Sequence, residues 1–326
     1  KTGENFHLFR FKGTYLDQVI LGRGPDTNKW QLFSDGSMRP VAMDLGPNDS
    51  FLFIAGEAGA SSVYRRWHLS GPRLTHSNQV EIKETQFMLV PKDVRISPDG
   101  SFALFSGAGS QKYGQLGWVG RVMLYPGSGR TYGATPWSMG VFTDSTNFNG
   151  NAIEIWDGGF SAAVGVYNSN FGGINLKHGV CPVDLGQVGV MTLYTDRYFG
   201  TTSDANDYKH IGAITASPDN KWLAFTSTSS VSKQVFLAEA VHLSAGSGAM
   251  PCSSDTAGTG FTNPVWAHDS SRFYVAGKST GAVYYVDVST FPAITLTPMV
   301  DVNAGTASWP TQATRLDISP ESKYLV

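Results

Sequence analysis

Several residue classes are scarce in this 326-residue chain, and each scarcity excludes something. There are two cysteines, Cys181 and Cys252. A single bridge between them is possible, but a disulfide framework for a chain this long is not. Charged residues make up 15%, against about 25% in ordinary soluble domains, and the net charge is −2. With no basic block, nothing forms an electrostatic footprint for nucleic acid. No apolar run approaches 18 residues, so no membrane-inserting helix is expected. The chain contains no G-x-S-x-G, the strained elbow a serine hydrolase needs. Its seven histidines, His7, His68, His76, His178, His210, His242 and His268, are scattered. No pair has metal-ligand spacing on one element. The opening Lys1-Thr2-Gly3-Glu4 has neither an initiator methionine nor the pattern of a secretory leader, as in a polypeptide trimmed from something longer.

What the chain does have is 41% apolar residues, enough for a real core, and 37 glycines. It also has a recurring turn. Ser97-Pro98-Asp99-Gly100 lies between two apolar runs, and relatives of it return along the sequence. They are Gly46-Pro47-Asn48-Asp49, Ser217-Pro218-Asp219-Asn220, Ala267-His268-Asp269-Ser270 and Ser319-Pro320-Glu321-Ser322, with a degenerate copy at Trp156-Asp157-Gly158-Gly159. Proline presets φ at the first corner, the acidic side chain bonds backbone two residues on, and Gly or Asn accepts positive φ at the exit. Short β-branched and aromatic runs flank each turn, the pattern of strands. The acidic positions Asp49, Asp99, Asp157, Asp219, Asp269 and Glu321 are separated by 50, 58, 62, 50 and 52 residues. A repeat of about 50 residues built of short strands predicts propeller blades.

The expectation is therefore all-β: a single domain over residues 1–326, folded as a six-bladed β-propeller. The last blade would be shared, with Tyr324-Leu325-Val326 supplying strand and residues 1–25 the remainder. Such a junction leaves no open sheet edge. A seven-bladed ring with further terminal residues is the alternative, because Val326 stops inside a predicted strand.

The Ser-Pro-Asp-Gly hairpin followed by strands such as Trp222-Leu223-Ala224-Phe225 resembles the WD-like Asp-turn repeat of TolB-type β-propellers. The copies at Pro98, Pro218 and Pro320 match it closely. The resemblance implies a six-bladed ring engaged in protein–protein contact in the cell envelope. The same blade also serves peptidase propellers and lyases.

Counting back from the turn proline picks out the innermost strands. Two and four residues before it lie Leu45 and Met43, Ile96 and Val94, Ala216 and Ile214, Ile318 and Leu316. These apolar positions are expected to pack between blades. Three and five before it lie Asp44, Arg95 and Asp93, Thr215, and Asp317 and Arg315. Strand side chains alternate faces, so the charges share one side, expected to line the axial channel. They form either a polar ligand site or a set of inter-blade ion pairs, since partly buried charges need partners.

Other candidates fall in expected loops. Trp118, Trp137 and Trp309 could anchor a partner or stack on a glycan, with Gly107 to Gly120 expected as one long loop. Asp144, Asn147 and Asn149 in the polar run from Phe142 to Asn151, and Asp204 and Asp207, could hold a structural Ca²⁺. Neither run has the ligand spacing of an EF-hand, and no cofactor is expected. The functional expectation is a non-catalytic scaffold or protein-binding module among the proteins of a multi-subunit assembly. The setting would be extracytoplasmic: cell envelope, secreted, or a phage particle. The alternative is a lactonase- or lyase-like enzyme, or a carbohydrate-binding propeller, using the axial channel.

Overall fold

The computed structural model describes residues 8–12, 15–19, 39–58, 61–68, 79–84, 90–108, 117–124, 138–141, 148–156, 161–168, 180–185, 192–193, 197–199, 211–227, 234–243, 248–250, 253–255, 260–299, 313, 315–319, 322 and 325. A hairpin of β1 (Leu8–Lys12) and β2 (Tyr15–Val19) comes first. Five four-stranded antiparallel sheets follow among the described residues. The first holds β3 (Arg39–Leu45), β4 (Phe51–Ala58), β5 (Ser61–His68) and β6 (Gln79–Glu84). The second holds β7 (Val90–Ile96), β8 (Phe102–Ala108), β9 (Gly117–Met123) and β10 (Ser138–Val141). The third holds β11 (Phe148–Trp156), β12 (Ser161–Asn168), β13 (Val180–Asp184) and β14 (Thr192–Leu193). A short β15 (Arg197–Phe199) then precedes the fourth sheet, β16 (Ile211–Ala216), β17 (Trp222–Ser227), β18 (Val235–Glu239) and β20 (Ser253–Asp255). Between the last two runs β19 (Gly248–Met250), which pairs in parallel with β15. The fifth sheet is β21 (Val265–Trp266), β22 (Arg272–Ala276), β23 (Val283–Asp287) and β24 (Thr297–Pro298).

The repeated turns make the hairpins that open these sheets. In the second sheet Ser97 N–H donates to Phe102 O at 2.9 Å. Asp99 accepts the Ser97 hydroxyl at 2.7 Å, Ser101 N–H at 3.0 Å and the Ser101 hydroxyl at 2.8 Å. These bonds outweigh burial and hold the Asp99 carboxyl below its ordinary range. Asp219 repeats the arrangement with Ser217 and Lys221. The residue after the acid sits at positive φ: Gly100 at 72°, Asn220 at 59° and Ser270 at 60°. That is the region glycine and asparagine enter at least cost.

Successive sheets stack face to face in chain order, and aromatics fill the seams. Phe53 and Tyr64 of the first sheet pack with Val94, Ile96 and Phe105 of the second. Trp156 and Ala163 of the third pack with Ile214, Phe225 and Phe236 of the fourth. Leu237 of the fourth packs with Trp266, Phe273 and Val275 of the fifth. Leu316 packs on Ala276 and Val283 of the fifth. Serine hydroxyls stitch neighbouring turns together: Ser270 Oγ accepts Asp219 N–H, and Ser322 Oγ accepts His268 N–H, both at 3.0 Å.

The seam between the first two sheets is filled to capacity. Phe105 is fully buried, lies against the Tyr64 ring with centroids 4.5 Å apart, and covers Gly120 on the paired strand. A Cβ on Gly120 would overlap the Phe105 ring. Gly120→Ala is expected to cost about 1–3 kcal/mol, as overpacking does, read as a lowered melting temperature.

Several sequence expectations need correction. Gly117 to Gly120 is strand, not loop, and Trp118 pairs with Gly107 inside it. β11 begins at Phe148, so the second half of the expected Phe142–Asn151 loop is also strand, with Asn149 paired to Tyr167. Val94, Ile96, Ile214 and Leu316 are buried as expected, but Met43 and Leu45 are 43% and 42% exposed. The strand that covers β3, β7, lies on its Asp44 side. Among the described residues no ladder joins the two ends: Leu8 pairs with Val19, and Leu325 bridges to Ile318.

Candidate functional site at the central cavity

The first strands of the sheets converge on a cavity of about 560 Å³. Its walls carry four cations, Lys92, Arg95, Lys278 and Arg315, and three carboxylates, Asp93, Glu154 and Asp317. The structure thus brings together Asp93, Arg95, Arg315 and Asp317 from the expected set, and Asp44 lies beside them.

Asp44 and Asp93 act alike. Each takes an N–H of its own strand with one oxygen and an N–H of the next sheet with the other. Asp44 accepts Leu45 N–H at 3.0 Å and Ile96 N–H at 2.8 Å. Asp93 accepts Val94 N–H at 2.9 Å and Ile153 N–H at 3.0 Å. The amides involved explain why. Ser97 N–H is spent on β8, and antiparallel strands alternate the direction of their N–H groups. Ile96 N–H therefore points off the ladder, toward the axis, where an unpaired backbone donor is costly. The carboxylate of the preceding sheet satisfies it and ties two sheets together. Asn263 does the same between the fifth sheet and the segment after it, accepting Leu316 N–H at 3.1 Å and donating to Leu316 O at 2.9 Å. In the fourth sheet Thr215 O accepts the Trp266 indole N–H at 3.3 Å.

The charges lie on one side of their strands, and Asp93, Arg95, Arg315 and Asp317 line the cavity, while Asp44 and Asp93 also reach the amides of the next sheet.

Arg95 is held between two carboxylates, Nη1 at 3.2 Å from Asp93 and Nε at 3.3 Å from Glu154. Burial opposes its charge, yet Asp93, Glu154 and Asp44 together raise its pKa. Glu154 is pushed up to about 7 by burial, even with Arg95 beside it, and also accepts Ile155 N–H at 3.1 Å. Burial likewise raises Asp44 above the ordinary carboxylate range despite Arg95 and the two N–H donors. Lys278 is lowered by burial.

Glu154, Lys92 and Lys278 were not picked out from the sequence. Glu154 occupies the same position as Asp44 and Arg95, three residues before the first corner of its turn. Trp156 pairs with Ser161 across four residues, just as Ser97 bonds to Phe102 across Pro98–Ser101. Asp157 therefore stands where Pro98 does. Matching Asp157 to Asp99 instead shifts the strand by one residue.

Asp317 accepts Ile318 N–H at 2.8 Å, and Arg315 makes no ion pair among the described residues. Trp118 lies in β9, while Trp137 and Trp309 fall outside the described residues. Of the Ca²⁺ candidates, Asn149 lies in β11, and Asp144, Asn147, Asp204 and Asp207 fall outside the described residues. Among the described residues no three His, Cys, Asp or Glu side chains are grouped to hold a metal. Cys181 lies in β13, paired with Val164, and Cys252 is outside the described residues.

No protein-family model matches the sequence, and no curated protein matches it. Solved structures do. A candidate 6-phosphogluconolactonase from Bacteroides uniformis matches with a TM-score of 0.60 at 12% identity, over 88% of this chain and 77% of its own. Kuenenia stuttgartiensis hydrazine synthase matches with a TM-score of 0.55 at 15% identity, over 93% and 76%. The Dos1 propeller matches with a TM-score of 0.51 at 11% identity, over 86% and 64%. At identities this low the likeness speaks for the fold alone, and together with the stacked antiparallel sheets it identifies the chain as a β-propeller.

Proposed function

We propose that this chain is a non-catalytic propeller serving as a structural scaffold or protein-binding module within a multi-subunit assembly. One observation carries the reading. The inner-strand charges at the repeating positions are committed to holding sheets together: Asp44 and Asp93 to backbone N–H groups, Arg95 to Asp93 and Glu154. Groups so engaged confer rigidity, which suits a platform.

The reading extends to a six-bladed ring of TolB type, closed by sharing its last blade between the residues around Ile318–Leu325 and residues 1–25. The hairpin bridge between Ile318 and Leu325, and the Ser322 and Asn263 ties to the fifth sheet, support a sixth blade at that position. A low-charge, glycine-rich composition supports an envelope, secreted or phage-particle setting. No cofactor is part of this reading.

The test is the size of the native protein in a gentle extract of its source, by sedimentation with immunodetection. A scaffold migrates well above the 35.1 kDa of the chain. Migration as a monomer, with turnover of a sugar lactone by the purified chain, would contradict the proposal.

A further inference from the structure

The charges around the central cavity fall into two groups. Asp93 and Glu154 are both paired with Arg95. Lys92, Lys278 and Arg315 have neither an ion pair nor a side-chain hydrogen bond among the described residues. Arg315 stands two residues from Asp317, yet no ion pair joins the two. Lys278 is half-buried in the connection between β22 and β23, where its ammonium meets no carboxylate among the described residues. A partly desolvated cation without a partner costs stability, so its persistence on a cavity wall calls for an anion.

We propose that the cavity binds a small organic polyanion, a compound carrying two or more carboxylate or phosphate groups, through Lys92, Lys278 and Arg315. Three features select this class. The first is charge: Lys92, Lys278 and Arg315 are the cations of the wall without an ion pair among the described residues, and a cleft walled by low-dielectric protein strengthens their pull on an anion. The second is size. About 560 Å³ falls within the range of small-molecule sites and is too small for a folded partner. The fourth sheet and its turn contribute small or short side chains to the wall, Gly212, Ala213, Thr215, Ala216 and Pro218. The third is placement. The cations come from three separate elements: the start of β7, the β22–β23 connection and the segment leading to Leu316. A ligand with a single anionic group engages part of this set, and one with two or three spans it. Arg315 offers a planar fork suited to either oxyanion.

The test is isothermal titration of the full chain at low ionic strength with citrate, 3-phosphoglycerate, inorganic phosphate and glycerol. Saturable binding of citrate or 3-phosphoglycerate is expected, weakened about tenfold in each of Lys278→Met, Arg315→Gln and Lys92→Gln. The tighter of the two probes assigns carboxylate or phosphate as the preferred group. Lys221→Ala, removing an exposed lysine paired with Asp219 outside the cavity, should bind as the parent does. Lys92 and Arg315 are exposed side chains, so their variants keep the test valid if Lys278→Met fails to fold. The proposal is overturned by the absence of saturable binding at millimolar concentration. It is equally overturned by binding that the Lys92 and Arg315 variants leave unchanged, or by inorganic phosphate binding as tightly as both organic probes.

Discussion

Asp93→Ala is expected to lower the unfolding free energy by about 3–5 kcal/mol, the range for breaking a buried charge pair from one side. The size follows from how many groups one carboxylate serves. Oδ1 takes Val94 N–H and Arg95 Nη1, and Oδ2 reaches across to Ile153 N–H. Alanine leaves two backbone donors without an acceptor, each worth about 1–3 kcal/mol when buried, and leaves Arg95 with Glu154 alone. Asp93→Asn keeps one acceptor oxygen and should fall between the parent and the alanine variant. Urea unfolding at neutral pH measures both. A loss below about 1 kcal/mol for the alanine variant would mean that the bracket contributes little.

Glu154 should make stability depend on pH in a window where few carboxylates titrate. Its pKa is about 7 in the folded chain against an ordinary 4.5. The folded state therefore holds the proton more tightly. The resulting stabilisation is complete below pH 4.5 and is lost as pH rises through 7. The difference corresponds to about 3 kcal/mol. Asp44, also raised by burial, adds a change of the same sign. The turn aspartates Asp99 and Asp219 are lowered, so their contribution is lost only as pH falls below their ordinary value of 3.8, outside this window. Glu154→Gln keeps an acceptor for Ile155 N–H and has no proton to exchange. Between pH 5 and pH 8 the parent should lose about 3 kcal/mol more than this variant does. Parallel profiles would show that Glu154 is ionised normally.

Much of the fold could be read from the turns. Proline, an acid and a left-handed residue at fixed offsets located the hairpins at Asp99 and Asp219, and the acid with its flanking strands located the one at Asp269. Counting back from the corner then found Asp44, Asp93 and Arg95. The same count failed at the third sheet because Trp156-Asp157-Gly158-Gly159 has no proline. Aligning it on its acid would move the strand by one residue, and in a strand that exchanges the two faces. Glu154 was missed because that copy offers no proline to count from. Lys92 and Lys278 escaped for another reason: neither occupies the repeating positions, and Lys278 reaches the cavity from a connection. The serine ties were hidden because Ser270 and Ser322 stand at the turn's left-handed position, where Gly100 and Asn220 draw attention to backbone rather than side chain. Strand alternation says which residues share a side, and what that side meets depends on how the sheets are arranged: here Asp93 and Arg95 line the cavity, and Asp44 and Asp93 also meet the next sheet's amides.

The central claim is that inner-strand carboxylates close the exposed amide edge of the following sheet, and residue-resolved hydrogen exchange measures it directly. Ile96 and Ile153 N–H should exchange as slowly as ladder amides such as Ser97 N–H, and Asp93→Ala should release Ile153 while leaving Ile96 protected by Asp44. Rapid exchange of both amides in the parent protein would contradict the account.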